Sequence, residues 1–150
     1  MDPSPADAAL QLDPEWVLSE YPVVMKVVFA TALGMLLGVE REWSEKPAGL
    51  RTFTIITLTA TVLTIAGEPV LLVLGGVLVI VQGSVFAFRG LAGESETYLL
   101  TTSTSMVLAY GVGVLIGKGQ FQIATIVAIV TTMVLVLRRE LHGFARSLSK

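Results

Sequence analysis

Four or five long apolar runs, separated by short polar links, take up most of the 150-residue chain, and a chain built this way is suited to a lipid bilayer rather than water. A helix needs about 20 apolar residues to cross the hydrocarbon core, with a range of roughly 17 to 25. The runs Pro22–Val39, Arg51–Ala66, Val70–Phe88, Tyr98–Gly117 and Phe121–Leu137 fall in or near that range. The second is the shortest, and its apolar part from Phe53 to Ala66 leaves a re-entrant or tilted segment open. Hydrophobic residues make up 53% of the chain and charged residues 15%, too little charge to clothe a water-soluble domain of this length. The expected fold is all-α: a polytopic helical membrane bundle with about five transmembrane helices.

The position of the charges says more than their sum. The tail before the first run carries Asp2, Asp7, Asp13, Glu15 and Glu20 and no base. Arg41, Lys46, Arg51, Arg89, Arg138, Arg139, Arg146 and Lys150 all fall on one side of a five-span path, against Lys118 alone in the opposite links; Lys26 sits within the first run. Cytoplasmic loops favour Lys and Arg, so the N-terminus is expected outside and the C-terminus in the cytoplasm, in a multi-pass protein of the plasma membrane. Asp13-Pro14-Glu15 starts a short helix well, and Trp16, Val17 and Tyr21 suit the outer interface. The expected division is an acidic tail with this interfacial helix over 1–21, a transmembrane domain over 22–142 and a basic tail over 143–150. An acidic, proline-bearing start does not fit a cleaved signal peptide, and none is expected.

Several chemistries are unsupported. Without cysteine there are no disulfides, thiolate metal sites or cysteine nucleophiles, and His142 alone cannot make a histidine metal site. No nucleophile–base pair or nucleotide-binding loop is visible, so the chain is not expected to be an enzyme or to bind nucleic acid. The expected partners are the bilayer, a second copy of the chain in a homodimer or larger assembly, and another membrane protein.

Lipid supplies no hydrophobic drive between helices, so small residues at four-residue steps mark close packing. Ala30, Gly34 and Gly38 form one such line and Ser105, Ala109, Gly113 and Gly117 another. The partner of either line is open: another helix of this chain, or a seam with a second copy. Thr54, Thr57, Thr61 and Thr64 share one helical face, and Thr101 and Thr102 open the fourth run. These hydroxyls could line a hydrated path, or bond back to carbonyls one turn earlier and pack between helices.

The one charged insert, Glu40 to Arg51, is where chemistry is most to be expected. Arg41 and Glu45 sit four apart on a helical continuation, and Pro47-Ala48-Gly49 gives a turn. Arg51 opposes the dipole at the start of the second helix, which predicts a carboxylate partner in Glu40 or Glu42. Composition and spacing alone favour a cytoplasmic loop whose charges fix topology and staple two spans over any site. Gly34-Met35-Leu36-Leu37-Gly38-Val39-Glu40-Arg41-Glu42, followed by Lys46-Pro47-Ala48-Gly49-Leu50-Arg51-Thr52, resembles the signature of the MgtC/SapB family of bacterial and archaeal membrane proteins. The resemblance is to the N-terminal membrane domain type, with no soluble C-terminal domain expected. Glu68-Pro69 stands here in place of the Asp-Pro-x-Arg of familiar members.

The resemblance implies a role in magnesium or other divalent-cation homeostasis, by cation permeation or by regulating another membrane complex such as an ATP synthase. It assigns Glu40, Arg41, Glu42, Gly49, Arg51 and Thr52 as motif residues, with Arg41, Gly49, Arg51 and Thr52 at a gate. No cofactor is expected beyond a Mg2+ ion, which Glu40 and Glu42 suffice in number to ligate, since Mg2+ keeps much of its water.

Overall fold

The computed structural model describes residues 22–44, 48–91 and 96–148, with side-chain surroundings for 22–44, 48–88 and 101–137. The expected interfacial helix, Glu45 and Lys46 lie outside the described residues. Five helices follow in order: α1 Pro22–Trp43, α2 Leu50–Ala66, α3 Pro69–Leu91, α4 Glu96–Gly117 and α5 Phe121–Leu148. Each predicted run became a helix. α1 continues past the apolar run through Glu40, Arg41 and Glu42, and α5 continues through the boundary expected at 142.

Local chemistry places the helix ends. Pro22 and Pro69 open α1 and α3 at the first helical position, where a missing N–H costs nothing. Gly67, at φ 75°, ends α2 in the left-handed region, and its N–H donates to the Thr64 carbonyl. Gly119, at φ 78°, closes α4 as a Schellman motif: its N–H reaches the Ile116 carbonyl at 2.9 Å, and the Gln120 N–H reaches Leu115 at 2.9 Å. Links this short turn each helix back along its predecessor.

α4 is the central helix, packed against all four others, while α2 packs chiefly on α1 and α4. α3 rests only on α2 and α4 among the described residues. The core runs from Leu33, Leu37 and Phe53 through Ile56 and Met106 to Val112 and Ile116. The outer surface is as apolar as the core: Val28, Leu74, Leu78, Ile126 and Met133 are all more than half exposed. So broad an apolar exterior calls for lipid or protein to cover it. Pro22–Trp43 and Pro69–Phe88 have the length and hydropathy to cross a membrane; Leu50–Ala66, Thr101–Gly117 and Phe121–Leu137 are shorter apolar helices.

Both glycine lines are used within the chain. A Cβ on Gly34 would stand 2.8 Å from the Thr54 Cα, and one on Gly38 2.5 Å from the Leu50 Cα. A Cβ on Gly113 would collide with the Thr57 carbonyl, and one on Gly117 with the Thr64 side chain. The small residues of α1 therefore meet α2 at Leu50, Thr54 and Thr57, and those of α4 meet it at Thr57, Ala60 and Thr64, further along the same face. Of the two partners left open for the Gly34/Gly38 and Gly113/Gly117 lines, α2 of the same chain fills both, so a second copy must use another face.

Gly113→Ala is expected to lower the melting temperature of the detergent-solubilised protein, with a cost of about 1–3 kcal/mol for forcing the α2–α4 seam apart. Gly111→Ala, where a Cβ meets nothing within 4 Å, should leave it unchanged. Equal melting temperatures for the two variants would refute the seam.

Candidate functional site

The last turn of α1 and the first turn of α2 carry the charged motif, and their closeness follows from Gly38. With no side chain there, the α1 backbone lies directly against Leu50, so the α1–α2 link must reverse within a few residues. Glu42 then reaches across the link and accepts the Leu50 N–H at 3.1 Å. The first N–H groups of a helix lack intrahelical partners and carry partial positive charge, so a carboxylate there both caps and neutralises. Gly49 makes room for it: a Cβ at that position would fall on the Glu42 carboxylate. Glu42 and Gly49 are thus one fitted unit.

Glu40 and Arg41 are folded inward, 5% and 3% exposed. The Arg41 Nε donates to Glu40 Oε2 at 2.6 Å, and the Ser44 hydroxyl donates to Glu40 Oε1 at 2.9 Å. Two charges out of water need each other, and removing one leaves the other stranded at high cost. Adjacent helical residues do not normally face one another; here both side chains bend into the same buried space at the end of α1.

The pairing predicted for Arg51 is not formed. Glu42 is taken by the Leu50 N–H and Glu40 by Arg41 and Ser44, while Arg51 is exposed on the first turn of α2 without a carboxylate among the described residues. Thr52 beside it is half-buried. Glu40 and Glu42, proposed from sequence as metal ligands, are thus committed to different neighbours. No group of three or more His, Cys, Asp or Glu suited to a metal occurs among the described residues.

The threonine face of α2 is turned into the bundle. Thr57 Oγ1 donates to the Phe53 carbonyl at 2.9 Å and lies 3.3 Å from the Ala109 carbonyl; Thr61 Oγ1 is 2.9 Å from both the Thr57 and Gly113 carbonyls. Both residues are completely buried between α2 and α4. Thr54 and Thr64 donate to Leu50 and Ala60, one turn back. Thr102 is fully buried and Thr101 half-buried, and both have partners.

Two tethers were not foreseen from the sequence. Lys26 Nζ donates to the Gly117 carbonyl at 2.8 Å, placing a cation on the last turn of α4, where free carbonyls and the helix dipole favour it. The Tyr110 hydroxyl donates to the Leu72 carbonyl at 2.5 Å and fixes α3 to α4 beside Gly75 and Gly76. A lone base one turn into an apolar run was the available signal for the first. On the far side of α4, α3 and α5 stand apart and leave an apolar groove of about 810 Å³, lined by Gly83, Ala87, Val107, Gly111 and Val127 with Lys118 and Gln120 at one end.

The motif's residues come together at one hairpin, and the MgtC family model matches residues 27–144, across all five helices. The chain belongs to the MgtC family. It is 30% identical over 124 residues, 80% of its length, to Protein MgtC of Salmonella typhimurium, and 26% identical over 132 residues to an uncharacterized protein of Synechocystis. It is also 42% identical to Protein SapB of Bacillus subtilis over 43 residues, 29% of this chain and 18% of that one. The chain spans about half the length, 54%, of the Salmonella and Synechocystis relatives. No solved structure matches it.

Arg41→Met is expected to destabilise the bundle by about 3–5 kcal/mol, because it leaves the Glu40 carboxylate buried alone. Exposed Arg51→Met should cost less than about 0.5 kcal/mol. Chemical denaturation in detergent compares them directly; an equal loss from both would remove the buried pair from its place in the fold.

Proposed function

We propose that this MgtC-family membrane protein serves magnesium homeostasis by regulating another membrane complex and does not itself conduct the ion. The observation that carries the regulatory reading is the sealed α2–α4 seam. The hydroxyls best placed to line a path, those of Thr57 and Thr61, are completely buried and occupied by backbone carbonyls. Four of the charged groups near helix ends are engaged there: Lys26 with Gly117, Glu40 with Arg41, Glu42 with Leu50. A relay through the bilayer needs ionisable groups along its length. The link to magnesium rests on the family resemblance, and the apolar groove beside α4 offers a surface on which a helix of a partner complex can lie.

In this reading the chain crosses the plasma membrane five times, the Glu40–Arg51 hairpin and the C-terminus facing the cytoplasm. The bias of Lys and Arg supports that orientation. Accessibility of tags inserted after Trp43 and at the C-terminus should place both on the cytoplasmic side of intact cells; tags on opposite faces would overturn the five-span path.

Two measurements test the function together. Expression in a bacterial strain lacking its own MgtC-family protein should restore growth in low-magnesium medium. The purified protein in proteoliposomes should pass no more Mg2+ than protein-free vesicles. Flux that Glu40→Gln abolishes would assign the protein to cation permeation, and failure to support growth would break the link to magnesium.

A further inference from the structure

α3 is the most lipid-like helix of the bundle, yet it carries an exposed amide. Gln82 lies within the apolar stretch Pro69–Phe88, roughly 20 Å from one end and 9 Å from the other at 1.5 Å per residue. Its side chain has no hydrogen-bond partner among the described residues. Ser84, also exposed, satisfies itself on the Ile80 carbonyl at 2.9 Å; Gln82 does not. In hydrocarbon an unpaired amide costs several kcal/mol, and a side chain this deep cannot reach the water interface.

We propose that this strip of α3 is the contact between two copies of the chain, with their Gln82 amides hydrogen-bonded to each other across a two-fold axis. Leu71, Leu78 and Val85 recur every seven residues, and Gln82 falls four after Leu78 and three before Val85, so all four lie on one exposed strip. One polar residue in such an apolar seam fixes the register of two helices. An amide is both donor and acceptor, and a two-fold axis places identical residues opposite one another, so a second Gln82 is its own complement. The strip is turned away from the groove residues Ile80, Gly83 and Ala87, and both glycine lines are already spent on α2. The inference needs only that α3 is embedded, so it stands or falls separately from the regulatory reading.

The absence of cysteine makes the test clean. Single-cysteine variants Leu78→Cys, Gln82→Cys and Val85→Cys, oxidised in native membranes, should each give a disulfide-linked dimer. Val79→Cys, buried against the bundle, and Val73→Cys, 64% exposed but off the strip, should not. In the Leu78→Cys background, Gln82→Leu should lower the dimerisation constant roughly three- to tenfold and Gln82→Asn should retain most of it. Equal cross-linking at Val73 and Leu78, no dimer at any strip position, an unchanged dimer in Gln82→Leu, or cross-links to a different protein would each overturn the proposal.

Discussion

α1 and α4 meet the α2 backbone at near-contact distance, and most of the architecture follows from that approach. Gly34 and Gly38 toward the N-terminal half of α2, Gly113 and Gly117 toward its C-terminal half, leave no room for a single added carbon. Close approach lets the Thr57 and Thr61 hydroxyls reach carbonyls of α4 while still bonding within their own helix. It also brings the end of α1 to the start of α2, so that a carboxylate from one caps the other. In lipid, where apolar surface alone gives helices no reason to associate, such contacts supply the specificity that a water-soluble core gets from burial.

The charged hairpin is a by-product of the same contact, and its two acids have different duties. Glu42 faces outward and holds the turn through a backbone N–H and a glycine with no side chain. Glu40 faces inward and holds Arg41 and Ser44 in a buried cluster. A short run of alternating charge thus encodes a cap and a core pair one residue apart, leaving Arg51 exposed to the surroundings.

Helices were legible because a single physical requirement, enough apolar length to cross hydrocarbon, leaves an unmistakable trace; the structure then put the ends at Pro22, Pro69 and Gly67. Which faces meet was not legible. The glycine lines could be seen, but their partner depends on how three helices cluster, which no local window contains. The pairing of Arg51 was misjudged because charge spacing on an ideal helix ignores the turn: Glu42 reaches back over eight residues to a backbone N–H, a bond that depends on the path of the link. Rules that exclude adjacent helical neighbours likewise hid the Glu40–Arg41 pair. The match to the MgtC family extends over 27–144 and includes that hairpin.

The tie between Lys26 and the carbonyl of Gly117 joins positions 91 residues apart. An ammonium near the beginning of the first helix therefore has to wait for the end of the fourth before its protein partner exists, and until then only water or a lipid phosphate can satisfy it. The tie is a clasp that closes late in synthesis. A truncated or misassembled chain leaves that charge unclasped beside the membrane, where incomplete molecules differ chemically from finished ones.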